Sequence, residues 1–159
     1  MDYFQGIVTD YLRADRSMYV NTECLIQLEP GDAPKKGSHW YCDTVAVDLR
    51  NSVAYLCEVT YSSSLHALIG RLGAWDSHWP SFRDALARDC SIPKSWLVQP
   101  WLFLPEDRIE LLNTKLDALN LDPEDPKRMP APRVTFLESV VPWKYKAHNR
   151  EVAHLVGQT

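Results

Sequence analysis

Apolar residues recur along the chain with two different periods, and each period predicts a different kind of element. The first apolar positions recur at helical spacing: Phe4, Ile7, Val8, Tyr11 and Leu12. This spacing predicts an amphipathic helix over residues 1–15. The next stretch, SMYVNTECLIQL, fits either a second helix or a first strand, and a turn-rich loop follows at residues 29–38.

Two β-rich runs on either side of LRNS, within residues 39–61, predict a tight antiparallel hairpin. If RN forms the turn, Asp43 lies directly opposite Glu58. If NS forms the turn, Asp43 faces Thr60 and Glu58 is its diagonal neighbour, about 7–8 Å away. In both registers the two carboxylates lie on one face of the hairpin.

Both faces of this hairpin are rich in apolar residues. The face with the two acids also carries Val45, Val47, Ala54 and Leu56. The reverse face carries Cys42, Ala46, Tyr55, Cys57 and Val59. Apolar residues on both faces are typical of central strands covered by helices, so we expect helices above and below the hairpin.

The remaining pattern alternates between helix and strand. Helical spacing over residues 64–89 predicts a helix that Pro80 splits. SWLVQPWLFLP predicts a strand, and Pro100 indicates an edge position or a bulge. EDRIELLNTKLDAL predicts a helix, LDPEDPKRMPAP a loop, and RVTFLESVV a last strand or helix. The order predicts one domain over residues 1–159, an α/β sandwich with a central mixed β-sheet flanked by helices.

Composition narrows the classes of protein to which the chain can belong. Its 159 residues are 45% hydrophobic and 24% charged, as in an ordinary globular domain. The net charge of -4 means that nucleic acid would need a local basic patch. The chain has no apolar run of the roughly 20 residues needed for a membrane span, and its first residues are too polar for a secretory signal. We therefore expect a cytoplasmic protein that does not bind membranes.

The four cysteines are widely spaced and form no CxxC pair, which predicts free thiols rather than a zinc site or a disulfide framework. Glu58 is the residue that packing alone does not explain, because a buried carboxylate is costly unless it is paired. Asp43 beside it adds repulsion, so a cation is expected between them, and Mg²⁺ or Mn²⁺ suits carboxylate ligands. Alternatively, Asp43 lies at an exposed strand entrance and Glu58 bonds to backbone or to an arginine.

With these residues the chain resembles the PD-(D/E)XK superfamily of restriction endonuclease-like nucleases. The shared features are a leading helix, a hairpin that carries an aspartate and then a glutamate two residues before a polar position, a crossover helix and a further strand. The resemblance covers about residues 1–104 and leaves residues 105–159 as a C-terminal extension. It implies that Asp43 and Glu58 bind Mg²⁺ or Mn²⁺ together with Glu23, taken as the acid of the first helix. It also places Thr60 at the third catalytic position.

Two positions depart from the pattern of the superfamily. Asp43 follows Cys42 instead of a proline, and Thr60 stands where the superfamily has a lysine that orients water and stabilises phosphate charge. A cation or a proton carrier from another element could replace that lysine. The candidates are Lys35, Lys36, His39, His66 and Arg71, and all of these except His39 are also expected to contact nucleic acid.

The residues thus support two functional hypotheses. The first is metal-dependent hydrolysis of phosphodiester bonds in nucleic acid. The second is a nuclease-like scaffold without catalysis that binds a protein partner or forms a homodimer, which Thr60 and the acidic charge favour. The tryptophans fit core positions, an interface or a base-stacking platform. An unrelated α/β protein with a chance acid pair is the third possibility.

Overall fold

The structure is a computed structural model that describes residues 2–31 and 39–145. Its helices are α1 (Tyr3–Arg13), α2 (His66–Ser77), α3 (Trp79–Asp89) and α4 (Ile109–Leu119). Its strands are β1 (Met18–Gln27), β2 (His39–Asp48), β3 (Val53–Val59), β4 (Leu97–Leu104) and β5 (Arg133–Phe136). Short 3₁₀ turns lie at Glu106–Arg108, Leu137–Ser139 and Pro142–Lys144. SMYVNTECLIQL is therefore a strand, and the last predicted element begins as a strand and ends as a 3₁₀ turn.

The five strands form one sheet in the order β1-β2-β3-β4-β5. The first three strands are antiparallel neighbours, whereas β4 is parallel to both β3 and β5. Parallel neighbours need a long crossover, which α2 and α3 provide between β3 and β4. The predicted α/β architecture with a mixed sheet flanked by helices is confirmed. Within the two described ranges, each helix is too short or too polar to cross a bilayer.

The β2–β3 hairpin adopts the register predicted for the RN turn. Thr44 faces Cys57 and Asp48 faces Val53, with residues 49–52 as the loop. The buried carboxylate of Asp48 accepts hydrogen bonds from the backbone N–H groups of Arg50 and Asn51 at 2.9 and 3.1 Å, and from the Asn51 amide at 2.8 Å. These bonds satisfy the donors of the loop and fix the register of the hairpin.

Two apolar clusters cover the two faces of the sheet. Val45, Ala54 and Leu56 lie in the larger cluster, under α2 and α3. Ala46, Tyr55 and Cys57 lie in the smaller cluster, under α1 and the C-terminal 3₁₀ turns. The predicted helices on both faces are confirmed, as is the split at Pro80, which lies in the first turn of α3 where its missing N–H is tolerated.

Cys42 was assigned to the wrong face. It lies in the larger cluster with Val45, three residues away, so the alternation of β2 is interrupted between them. The β1–β2 ladder pairs Thr22 with Thr44 and Cys24 with Cys42 but skips the intervening residues. Glu23, one of the skipped residues, has a φ of 52°, in the left-handed region. This local distortion reverses the facing of the residues beyond it.

The edge position predicted from Pro100 is also wrong, because β4 has neighbours on both sides. Pro100 pairs with Leu56 of β3, whereas the β5 ladder begins one residue later, at Trp101. Pro100, which has no N–H, therefore lies just before the β4–β5 ladder, where β5 requires no hydrogen-bond donor from β4.

The cysteines and tryptophans are mostly core residues. Cys24, Cys42, Cys57 and Cys90, all within the described residues, form no disulfide with one another, and only Cys90 among them is partly exposed. Three tryptophans are fully buried, namely Trp75, Trp79 and Trp101. Trp143, by contrast, is 80% exposed.

Candidate functional site

Asp43 lies at the point where the β2–β3 ladder ends. The last ladder pair is Thr44 with Cys57, and beyond it the Asp43 side chain takes over as the acceptor for β3. Its Oδ2 accepts a hydrogen bond from the backbone N–H of Val59 at 2.9 Å. Its Oδ1 accepts a hydrogen bond from the Gln5 amide at 3.0 Å. The carboxylate is therefore held at the junction of β2, β3 and α1.

Glu58 lies beside Asp43 on β3 and is only 4% exposed. Its Oε1 accepts a weak hydrogen bond, 3.4 Å long, from the backbone N–H of Asp43. Its Oε2 forms an ion pair with the guanidinium of Arg71 on α2. The two acids are neighbours, as predicted, but Asp43 bonds to α1 and Glu58 to α2, helices that cover opposite faces of the sheet. The alternative of Glu58 bonded to an arginine and to backbone also agrees with these contacts.

Gln5 is oriented by the start of α1. Asp2 is the N-cap, its carboxylate accepts a hydrogen bond from the Gln5 backbone N–H at 2.8 Å, and the Gln5 side-chain oxygen accepts from the Asp2 N–H at 3.1 Å. This reciprocal capping box leaves the Gln5 amide nitrogen pointing away from the helix end. That nitrogen donates to Asp43. The cap thus stabilises the start of the helix and orients one hydrogen-bond donor to the Asp43 carboxylate.

These side chains line a pocket of about 170 Å³ at one end of the sheet. The residues lining it are Gln5, Asp43, Glu58, Val59, Thr60, Ala67, Leu68 and Arg71. The Arg71 side chain is 38% exposed, so the guanidinium reaches the pocket from its solvent side. The Thr60 hydroxyl accepts a hydrogen bond from the Ser62 N–H at 3.1 Å. The pocket therefore combines two carboxylates, one guanidinium and one hydroxyl.

Burial raises the pKa of Glu58 from its ordinary 4.5 to about 8, and the neighbouring Asp43 carboxylate adds to this effect. Arg71 acts in the opposite direction. Burial prevails because Glu58 is almost completely enclosed, whereas the Arg71 side chain is partly exposed to water, which screens its charge. A positive ion placed between the two acids would favour the ionised form of both.

We expect the raised pKa of Glu58 to make the protein less stable as the pH rises from about 4.5 to about 8. In this window the folded state keeps a proton that the unfolded state has released, so each increment of pH favours unfolding. The stabilisation is complete below the ordinary pKa and is lost as the pH passes the pKa of the folded state. Glu58→Gln cannot lose a proton and should flatten this part of the profile. Thermal melts of both proteins across the window in EDTA test this, and parallel profiles would contradict it.

The other predicted residues lie apart from this pocket. Glu23 was expected in the first helix, but it is an exposed residue of β1, because the second apolar stretch forms a strand. His66 is exposed in the first turn of α2 and is not among the residues that line the pocket. Lys35 and Lys36 lie outside the described residues, as does the side chain of His39. Of the candidate groups, Arg71 contacts the acid pair.

Residues 2–31 and 39–145 contain no group of three or more His, Cys, Asp or Glu side chains arranged to hold a metal ion. The predicted trio of Glu23, Asp43 and Glu58 is therefore not assembled. The two remaining acids still fit Mg²⁺ or Mn²⁺, since Mg²⁺ typically binds through one or two carboxylates and retains several waters. The observation that favours such an ion is the raised pKa of Glu58, because burial and the neighbouring Asp43 carboxylate both oppose its ionisation.

Gln5 is the residue that the sequence reasoning missed. The segment DYFQ has the form of a capping box at the start of a helix, and this signal predicts that the Gln5 side chain bonds to the N–H of the N-cap residue. Its contact with Asp43, 38 positions away, depends on how α1 packs on the sheet and is not visible in local pattern.

Comparisons of the chain with family models, with curated proteins and with solved structures found no match.

Proposed function

We propose that this protein is a divalent-metal-dependent phosphodiesterase of the PD-(D/E)XK type, acting on nucleic acid. The observation that carries the proposal is the meeting of Asp43, Glu58 and Arg71 in one pocket. The order of the elements is also the one expected from the resemblance, with a leading helix, a central hairpin that carries both acids, crossover helices and a parallel strand.

Each side chain of the pocket has a defined task in this proposal. Asp43 and Glu58 would hold Mg²⁺ or Mn²⁺, which when bound polarises a phosphodiester and lowers the pKa of a coordinated water. Gln5 and the Val59 N–H keep the Asp43 carboxylate in place. Arg71 supplies the positive charge that Thr60 lacks, and a guanidinium can donate two hydrogen bonds to phosphate oxygens. The Thr60 hydroxyl is available to bond a water molecule in the pocket.

The test is a cleavage assay with the purified protein on linear and nicked duplex DNA, single-stranded DNA and RNA. The proposal predicts cleavage of at least one substrate with Mg²⁺ or Mn²⁺, and none in EDTA. No cleavage of any substrate with either ion, together with melting temperatures that ignore both ions, would contradict it.

Replacing Arg71 separates its catalytic task from its contact with Glu58. We expect Arg71→Met to lower the rate of cleavage by about 10²–10³-fold, the usual loss when one group that stabilises transition-state charge is removed. Binding of Mn²⁺ should persist or tighten, because the guanidinium no longer competes for Glu58.

Lys94→Met is the matched control for this experiment, since it removes an exposed positive charge that forms an ion pair with Asp84 instead. The control should cleave at the wild-type rate. Equal rates for Arg71→Met and Lys94→Met would show that Arg71 has no part in the reaction.

The second candidate is a nuclease-like scaffold that binds a partner without catalysis. The observation that favours it is the closed set of contacts in the pocket: Arg71 already bonds to Glu58, and both Asp43 oxygens accept hydrogen bonds. In that case Thr60→Lys is the informative variant. Cleavage gained by this change would mean that the acids are correctly placed and that only the cation was missing.

A further inference from the structure

Aromatic residues are close in the chain to two of the residues that line the proposed catalytic pocket. Tyr3 and Phe4 precede Gln5 on α1, and Tyr61 follows Thr60 after β3. Tyr3 is 75% exposed and Tyr61 is 60% exposed. Phe4 and Tyr61 are therefore each next in sequence to a residue that lines the pocket, Gln5 and Thr60 respectively.

The rings of these residues form an ordered stack. Phe4 and Tyr61 are parallel within 7°, with centroids 4.7 Å apart. Tyr3 meets the edge of Phe4 at a centroid distance of 5.3 Å. Phe4 therefore supports one face of the Tyr61 ring from below, while most of the Tyr61 side chain remains exposed to solvent. A flat ring that is already held in place loses little conformational freedom when a second ring stacks on it.

Positive charge flanks the same loop. Arg71 contacts Glu58 in the pocket, and the Arg108 side chain donates a hydrogen bond to the Ser62 carbonyl at 3.3 Å. Two guanidinium groups thus lie near the residues around Tyr61, each paired with one carboxylate, Arg71 with Glu58 and Arg108 with Asp107 at 2.8 Å. Aromatic faces next to positive charge are the combination that binds single-stranded nucleic acid, in which bases stack on the rings and phosphates contact the cations.

We propose that Phe4 and Tyr61, with Tyr3 at their edge, form a platform on which an unpaired base of single-stranded nucleic acid stacks. This inference rests on the proposed function, because the strand stacked there would pass its phosphates toward Asp43 and Glu58. A duplex covers the faces of its internal bases with neighbouring base pairs, so the platform selects single strands and frayed ends.

The test is binding, measured by fluorescence anisotropy with Ca²⁺ in place of Mg²⁺ and with the oligonucleotide checked afterwards for intactness. The probes are a short labelled oligo(dA), the same strand with abasic sugars, and the corresponding duplex. We expect Tyr61→Ala to weaken oligo(dA) binding by about 5- to 150-fold, the range that corresponds to loss of one stacked base. Tyr61→Phe keeps the ring and should bind as wild type does.

Tyr19→Ala is the matched control. Tyr19 is 61% exposed, like Tyr61, but it lies on β1 beside Cys90 and Ile92. This variant should bind oligo(dA) as tightly as wild type. The abasic strand should bind the wild type and Tyr61→Ala equally, because it has no base to stack. The wild type alone should also bind the abasic strand more weakly than oligo(dA).

The platform would be overturned by equal oligo(dA) binding by Tyr61→Ala and Tyr19→Ala, by equal wild-type binding of the abasic strand and oligo(dA), or by preference for the duplex. Absence of any oligo(dA) binding would do the same. Cleavage plays no part in these measurements. A protein that cleaves but ignores Tyr61 would contradict only the platform, whereas one that stacks bases but never cleaves would contradict only the catalytic proposal.

Discussion

Glu58→Gln is expected to abolish metal-dependent cleavage while the protein remains folded. The metal held by Asp43 and Glu58 supplies several kcal/mol of transition-state stabilisation, and since about 1.4 kcal/mol is a tenfold change in rate, the loss should be about a thousand-fold or more. Stability should change little or rise, because the variant keeps the shape of a side chain that burial already favours in its neutral form. Asp43→Asn should show the same loss of cleavage.

The matched control is Glu110→Gln, which removes one carboxylate from an exposed position of α4. Cleavage by this variant should equal that of the wild type. Steady-state rates at saturating Mn²⁺, measured beside thermal melts, separate a catalytic effect from unfolding. A Glu58→Gln protein that cleaves within about tenfold of the wild type would contradict the assignment of Glu58 as a metal ligand, because loss of a ligand costs more than that.

Phe82→Ala is expected to cause the largest loss of stability. Phe82 is fully buried in α3, stacked on Trp40 and Trp79 with centroids 5.4 and 6.3 Å away, and it contacts Trp75 at 5.5 Å. Removing the ring opens a cavity among three indoles that cannot collapse to fill it. The free energy of unfolding should fall by about 3–5 kcal/mol.

Urea unfolding of Phe82→Ala and Phe82→Leu tests this expectation. The leucine variant retains much of the volume and should lose clearly less stability than the alanine variant. A loss below about 1 kcal/mol for Phe82→Ala, the average for single substitutions, would show that this cluster does not anchor α3 to the sheet. Because α2 shares the cluster through Trp75 and also carries Arg71, the alanine variant should lower cleavage as well.

The hairpin and its register were predictable because a period of two leaves few choices. The observed register is one of the two that the candidate turns allow, and the hydrogen bonds accepted by Asp48 fix it. The period of two does not reach Asp43, because the alternation of β2 is interrupted there. Arg71 was predictable as a candidate because it lies in the helix that follows the strand of Glu58. The choice among the candidate groups required the packing of α2 on the sheet, which local pattern does not contain.

Other features depend on backbone geometry or on distant packing. Cys42 lies in the larger cluster beyond the point where the β1–β2 ladder skips a residue on each strand, one of them Glu23 with its left-handed conformation. No residue type at that position signals this, since glutamate rarely adopts a positive φ. Pro100 indicates an edge strand, but β5 has only four residues and its ladder with β4 extends no further than Trp101. Pro100 therefore fits in a strand that has neighbours on both sides. The Gln5–Asp43 contact joins residues 38 positions apart and arises only once α1 lies on its face of the sheet.

Binding of Mn²⁺ by the wild type, Glu58→Gln and Glu110→Gln, followed by electron paramagnetic resonance, tests the central claim most directly. The proposal predicts a single site in the wild type and in Glu110→Gln, from which Mg²⁺ displaces Mn²⁺, and an affinity at least about tenfold weaker in Glu58→Gln, as for the loss of a ligand. Equal binding of Mn²⁺ by the wild type and Glu58→Gln, or no binding by the wild type, would contradict the claim that Asp43 and Glu58 form a divalent-metal site.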